Sequence, residues 1–408
     1  MTRTITATAL IFSLLFSSAL YAEADETSNT ADAEQQKPGE QDAGFWSQLK
    51  DKDDGQIDLS EWLLENAYGF LPIPLIITEP AVDNGLGFAG VFFHKPTESD
   101  LEARKERGGN ENVPLITDIS VAAGAYTGND SWFVGGGHFN TMRKDTLRYS
   151  GLIGYADINL DFYGSDGNLP GPADKVGFNA KGFFTDQKLE FRLGKSNWFA
   201  GGEWRYLDTD VSLDTGTIID DLLTGNQTIS GVGLFGHYEN VNSRQTPTKG
   251  FTTLLSGLWN DEAVGSDFDY EELKWEVRQY LMFGEKWTLA WRLDGATTSG
   301  DVPFYLEPSI NIEGIALNRY QGPTAATAEL RGGYNFTPRW RGIAFAGGGR
   351  TADNVSDLGS APSRTSVGVG FRYMLAKVLG LQVGLDVARG PEDTYVYLVT
   401  GSSWSTGL

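Results

Sequence analysis

Residues 273–283 read LKWEVRQYLMF and residues 287–295 read WTLAWRLDG. In the first, Leu273, Trp275, Val277, Leu281 and Phe283 share one parity, and Lys274, Glu276 and Arg278 share the other. In the second, Trp287, Leu289, Trp291 and Leu293 oppose Arg292 and Asp294. The stretch KLEFRLG at 188–194 repeats the pattern, with Leu189, Phe191 and Leu193 against Lys188, Glu190 and Arg192. A period of two is the signature of a β-strand, whose side chains point alternately to opposite faces. One face here is large and apolar; the other carries charges of both signs. Many such segments are longer than the usual strand of about 5 or 6 residues. That length suits tilted strands crossing a bilayer, with about 9 to 11 residues inside the apolar band and extensions beyond it.

Working outward, the alternation persists from about Leu71 to the C-terminus. It predicts about sixteen strands, starting near residues 74, 86, 115, 131, 146, 176, 197, 228, 249, 268, 286, 325, 339, 364, 381 and 394. The connections alternate in length. RKDT, GKSN, TPTKG, FGEKW and FTPRW read as tight turns, whereas SDGNLPGPADK, DTGTIIDDLLTGNQ, NDEAVGSD and TADNVSDLGSAPSR read as long loops. Short turns on one side and long loops on the other are the asymmetry of outer-membrane barrels. The polar segment KPTESDLEARKERGGNENVP falls on the short-turn side, and its length has no physical account in the sequence.

Composition agrees with this reading. The chain has 408 residues, 51 Gly, 12% aromatic residues and no Cys, with a net charge of -22. The negative balance argues against a nucleic-acid partner, which requires clustered Lys and Arg. The absence of Cys excludes disulfides and thiolate metal sites. The mean hydropathy of -0.28 suits a barrel, because half of each strand faces a polar lumen. No apolar run after the N-terminus approaches the roughly 20 residues of a membrane helix, so a membrane protein of this sequence must be a barrel.

The N-terminus carries an export address. Residues 1–22 combine an early Arg, an apolar core from Ala9 to Phe16 and small residues towards Ala22, the pattern of a secretory signal peptide. Residues 23–48 are acidic and polar, the composition of a disordered tether. Residues 49–70 contain an apparent calcium loop, KDKDDGQIDLSEW at 50–62. Setting Gly55 at the sixth position puts Lys50 and Lys52 where oxygen ligands belong, which disqualifies the loop. The stretch reads instead as a solvated acidic turn capping a short helix, with Asp58 as N-cap and Glu61 three residues on. Residues 71–408 then form the barrel.

No catalytic, cofactor or metal site is evident. His94, His138 and His237 fall in three different predicted strands with no paired-ligand spacing, and no GxSxG elbow is present. GVGLFG at 231–236 matches GxGxxG but lies inside a strand with no helix following, so it reads as close strand packing.

The stretch from 304 to 350, FYLEPSINIEGIALNRYQGPTAATAELRGGYNFTPRWRGIAFAGGGR, resembles the BamA/TamA family of outer-membrane barrels, the bacterial surface antigens. That resemblance implies a sixteen-stranded barrel whose loop after strand 11 folds into the lumen. It aligns Gly314 with the loop motif, Arg319, Tyr320 and Gly322 with the segment that follows, Glu329 and Arg331 with an E-L-R segment of strand 12, and Phe345 and Gly349 with strand 13. FLPIPLIITEPAVDNGLGFAG at 70–90 resembles the family's first hairpin, and residues 368–404 resemble its last strands, with Trp404 as the aromatic end of an assembly signal. Two positions depart from the family together: the loop Arg is Glu313 and the strand-13 Asp is Gly347. A buried charge left alone is costly, so Glu313 needs a new cation, for which Arg331 and Arg350 are the candidates.

The sequence thus predicts an all-β transmembrane antiparallel barrel in the outer membrane of a Gram-negative bacterium, and within the family it resembles it looks closest to a short branch without periplasmic POTRA modules. The resemblance implies work on protein or lipid insertion or translocation. Its implied partners are outer-membrane lipid, the barrel-assembly machinery during biogenesis and other membrane proteins. A passive solute pore and a lipid-acting enzyme are the alternatives.

Overall fold

The computed structural model describes residues 49–51, 54–60, 69–98, 101–102, 118–164, 175–213, 225–243, 246–377, 380–401 and 404. The expected signal peptide, the tether, the helix residues 61–68 and most of the polar segment 95–114 lie outside them.

Among the described residues, sixteen strands form one antiparallel sheet in which each strand pairs with its neighbours in sequence. They are β1 Gly69–Ile77, β2 Gly85–Phe93, β3 Asp118–Thr127, β4 Trp132–Met142, β5 Leu147–Phe162, β6 Val176–Arg192, β7 Trp198–Leu213 and β8 Gly225–Val241. The second half comprises β9 Gly250–Asn260, β10 Tyr270–Phe283, β11 Trp287–Gly300, β12 Thr324–Asn335, β13 Trp340–Ala352, β14 Arg364–Ala376, β15 Leu381–Arg389 and β16 Thr394–Thr400. The sheet curls so that its edge strands approach: Leu398 N of β16 donates to Thr78 Oγ1, just past β1, at 3.1 Å.

The wall is inside-out relative to a soluble domain. On β10 the apolar parity faces outward, with Leu273 47% and Phe283 57% exposed, while Glu276 and Arg278 are 5% and 2% exposed in the lumen. A face of this kind is stable only against lipid, since a water-soluble protein does not expose so continuous an apolar band. At the short-turn end the outward side chains are aromatic. Trp287 packs on Tyr334, Tyr334 on Phe336 and Trp340 on Tyr373, with ring centroids 4.7, 5.2 and 4.8 Å apart. Amphipathic rings gather at the membrane–water boundary, and this cluster forms part of such a girdle.

The acidic turn at 50–58 is only partly solvated, with Asp54 exposed and Asp58 buried, and unlike the sequence expectation it is fastened to the barrel. The buried Arg339, in the β12–β13 turn, donates to Asp51, Asp54 and Asp58, the last at 2.9 Å. Lys377 Nζ adds a 3.0 Å contact to Asp51, and Leu59 N donates to Leu375 O at 2.8 Å. The carboxylates that suggested a calcium loop are ligands for arginine.

Candidate functional site

The connection 301–323 between β11 and β12 starts at the long-loop end and folds back into the barrel. Phe304 packs against Phe162 and Phe178 of the wall at 4.8 and 5.2 Å. Ile310, Ile312, Ile315 and Tyr320 form a buried cluster of their own. Within the loop, Ile310 N donates to Tyr320 O and Gly322 N to Pro308 O, each at 3.0 Å, so the segment closes on itself like a short hairpin. Leu317 N donates to Glu79 Oε1 at 3.3 Å, tying the loop to the residues that follow β1.

Glycines let the loop approach the wall. A Cβ on Gly349 would stand 2.7 Å from Ile310 Cγ2 of the loop, whereas one on Gly347 would crowd only the neighbouring β12, 3.0 Å from Ala328 O and 3.1 Å from Glu329 Cγ. Gly314 adopts φ 96°, a conformation that favours glycine. Its N–H donates to Tyr397 Oη of β16 at 2.9 Å, and Ser366 of β14 donates its hydroxyl to Glu313 O.

This backbone presents Glu313 to a charged lumenal cluster. Arg331 Nη2 lies 3.1 Å from Glu313 Oε1 and 2.9 Å from Glu329 Oε1, and Arg331 Nη1 lies 3.1 Å from Asp386 Oδ2. Asp386 in turn takes a two-pronged contact from Arg372, at 2.6 Å for each prong. Arg292 Nη2 joins Glu329 Oε2 at 3.0 Å and also donates to the loop carbonyl of Asn311 at 2.7 Å. The Arg331 guanidinium lies 4.3 Å from the centroid of the Phe345 ring, which orients its fork. All these side chains share the inward parity of β11, β12, β13, β14 and β15. Sequence analysis missed Arg292, Arg372 and Asp386, because inward charges recur on every strand and only the register selects among them.

Of the two cations offered to Glu313, the structure brings up Arg331. Arg350 has the outward parity of β13 and donates instead to Leu358 O and Gly359 O, at 2.9 and 2.6 Å. Arg319 and Tyr320 also leave the Glu313 cluster. Arg319 Nε is 3.5 Å from Glu392 Oε1 in the β15–β16 turn, and the Tyr320 hydroxyl donates to the same carboxylate. The carboxylate missing at Gly347 has a counterpart in Asp386, two strands away.

Trp404 is not at the end of a strand. It lies past β16, inside the barrel and 4% exposed. Its Nε1 donates to Glu329 Oε1 at 3.1 Å, and its carbonyl accepts from Arg278 Nη1 at 3.0 Å. The guanidinium groups of Arg331 and Arg292 lie 5.4 and 5.5 Å from its ring centroid. The C-terminal tail thus meets, from the short-turn end, the cluster that the loop meets from the other.

A barrel of sixteen strands with a lumenal loop after strand 11 defines the class, an outer-membrane-type β-barrel. Solved structures of this fold include BamA from Haemophilus ducreyi lacking POTRA domains 1–3, with a TM-score of 0.54 and 14% identity over 82% of this chain and 70% of that one. CdiB from Escherichia coli has a TM-score of 0.53 and 8% identity over 81% of this chain and 62% of that one. CdiB from Acinetobacter baumannii has a TM-score of 0.50 and 9% identity over 81% and 59%. The chain therefore spans less than two thirds of either CdiB. No protein-family model and no curated protein sequence matches the chain. The likeness is one of fold.

Proposed function

We infer that this chain is an integral outer-membrane barrel of the BamA and CdiB type that assists insertion or movement of protein or lipid at the membrane. One observation carries the reading. The lumen is crossed by loop 301–323 and met by Trp404, and both are fastened to the same buried cluster through Glu313, Asn311 and Glu329. A passive pore gains nothing from such a latch, whereas a barrel that opens only when engaged requires one. The barrel reaches its membrane through export and the assembly machinery for barrels, and it works there without catalysing a reaction.

Two measurements on purified protein test this. In planar bilayers the wild-type chain is expected to be silent or to open only briefly. In liposomes carrying it, an unfolded model outer-membrane barrel is expected to insert faster than into empty liposomes. Stable open channels together with an unchanged insertion rate would establish the passive pore instead.

A further inference from the structure

His94, Asp118, Ser120, His138 and Asn140 belong to the outward parity of β2, β3 and β4, at the short-turn end of the wall. The register explains their meeting. Phe93 pairs with Ile119 and Asp118 with Asn140, and His94 N donates to Asp118 O at 3.0 Å, so His94, Asp118 and Asn140 form one cross-strand row. Ser120 pairs with His138 in the next row on the same face. Side chains directly opposite or diagonal on one face are within reach of each other. None of this shows in the linear spacing of the histidines.

Three ligand atoms converge. His94 Nε2 and His138 Nε2 lie 3.8 and 3.6 Å from Asp118 Oδ1, and the three residues bring one ligand atom each to within 4.8 Å of one another. An ion bound at about 2.0–2.1 Å by tetrahedral ligands separates them by roughly 3.3 Å, so small side-chain adjustments complete the set. Outer partners are in place as well. Asn140 Nδ2 donates to Asp118 Oδ2 at 2.9 Å and leaves Oδ1, which is buried without a donor, directed at the histidines. Ser120 Oγ lies 3.0 Å from His138 Nδ1, a partnership that leaves that ring's Nε2 to ligate, and 2.8 Å from His94 Nε2, a contact that a bound ion would replace.

We propose that His94, His138 and Asp118 form a binding site for a divalent transition-metal ion, Zn²⁺ being the best fit, on the outer wall of the barrel. Two imidazoles and one carboxylate suit Zn²⁺ rather than Ca²⁺ or Mg²⁺, which take oxygen ligands. Three protein ligands leave a fourth position open towards the membrane surface. The ion joins β2, β3 and β4 at their ends and stabilises the folded wall, because the unfolded chain does not hold the ligands together. A serine-hydrolase reading of the same residues fits less well. Ser120 Oγ is 2.8 Å from His94 Nε2, but Asp118 lies 3.6 Å or more from both imidazoles, beyond the hydrogen bond that orients such a base.

Calorimetric titration of the folded barrel in detergent with Zn²⁺ alone is expected to show one site, and Co²⁺ to give the visible absorption of a low-symmetry site. His138→Gln and Asp118→Asn are expected to weaken binding by more than about tenfold, and Ser120→Ala by about tenfold or somewhat less. Heat-modifiable migration in gels reports whether each variant is folded. If a variant does not fold, wild-type protein serves instead. Zn²⁺ is expected to protect His94 and His138, and not His237, from diethylpyrocarbonate. Absence of binding by folded wild type, unchanged affinity in the His94→Gln/His138→Gln double variant, or no protection would overturn the site. So would phospholipid hydrolysis lost in Ser120→Ala and indifferent to chelator.

Discussion

The indole Nε1 of Trp404 donates to Glu329 Oε1 across 3.1 Å, while Arg331 holds the same oxygen from 2.9 Å. The tail therefore shares one acceptor of β12 with Arg331, the cation that also holds the lumenal loop. Disturbing either end of the chain's last third should be felt at Glu313.

Arg331 is the hub, since it contacts Glu313, Glu329 and Asp386. Arg331→Ala leaves buried carboxylates short of a cation, and breaking a buried pair in this way costs about 3–5 kcal/mol. Glu313→Gln removes one of three acidic contacts and keeps the shape, so it should cost less. The temperature at which heat-modifiable migration is lost should fall more for Arg331→Ala. A Glu313→Gln variant with unchanged heat stability and an unchanged protease-cleavage pattern in loop 301–323 would refute the latch.

Trp404→Ala should leave the strands intact but free the tail. The expected outcome is more frequent channel openings in planar bilayers than wild type, because the cluster loses its cover from the short-turn end. Equal opening frequencies would show that the loop alone closes the lumen.

Gly349→Val tests the fit of the loop against β13. The new side chain would meet Ile310, already 2.7 Å from a simple Cβ, and overpacking of this kind costs about 1–3 kcal/mol. The loop should lift, and protease should cut within 301–323. Gly348→Val, on the outward parity of the same strand, should leave the loop protected.

The acidic turn at 50–58 should respond to acid. Hydrogen bonding from Arg339 holds the Asp54 carboxyl below its ordinary range. A depressed carboxylate stabilises the docked state above its unfolded pKa of about 3.9 and loses that contribution as pH falls through its lower folded value. Protection of the amides in residues 49–51 and 54–60, relative to their intrinsic exchange rates at each pH, should therefore be high at neutral pH and fall in acid below about pH 3.9. Arg339→Ala should lower that protection already at neutral pH.

The sequence was informative wherever parity alone decides. The two faces of β10 and β11 and fifteen of the sixteen strand starts were legible within three residues, because lipid outside and charge inside leave a period-two record. β1 begins five residues earlier than the pattern suggested, at Gly69, where FLPIP blurs the alternation. Gly314 of the loop and Gly349 of β13 were legible through the family resemblance. What joins strands was not. Asp386 beside Arg331, or His94 beside His138, depends on register and barrel curvature, neither of which leaves a mark on spacing. Trp404 was misplaced for a related reason, since an aromatic near a C-terminus looks the same whether it ends a strand or turns inward.

The contact between Arg339 and Asp58 spans 281 positions along the chain. Such a contact gives nothing back until most of the intervening chain is ordered, because the entropy of closing so long a loop must be met first. The clasp can therefore form only late, after the β12–β13 turn has taken shape. Once made, it reports that the sheet has rounded most of its circumference, and it holds the segment just before β1 at the place where the last strands are completed.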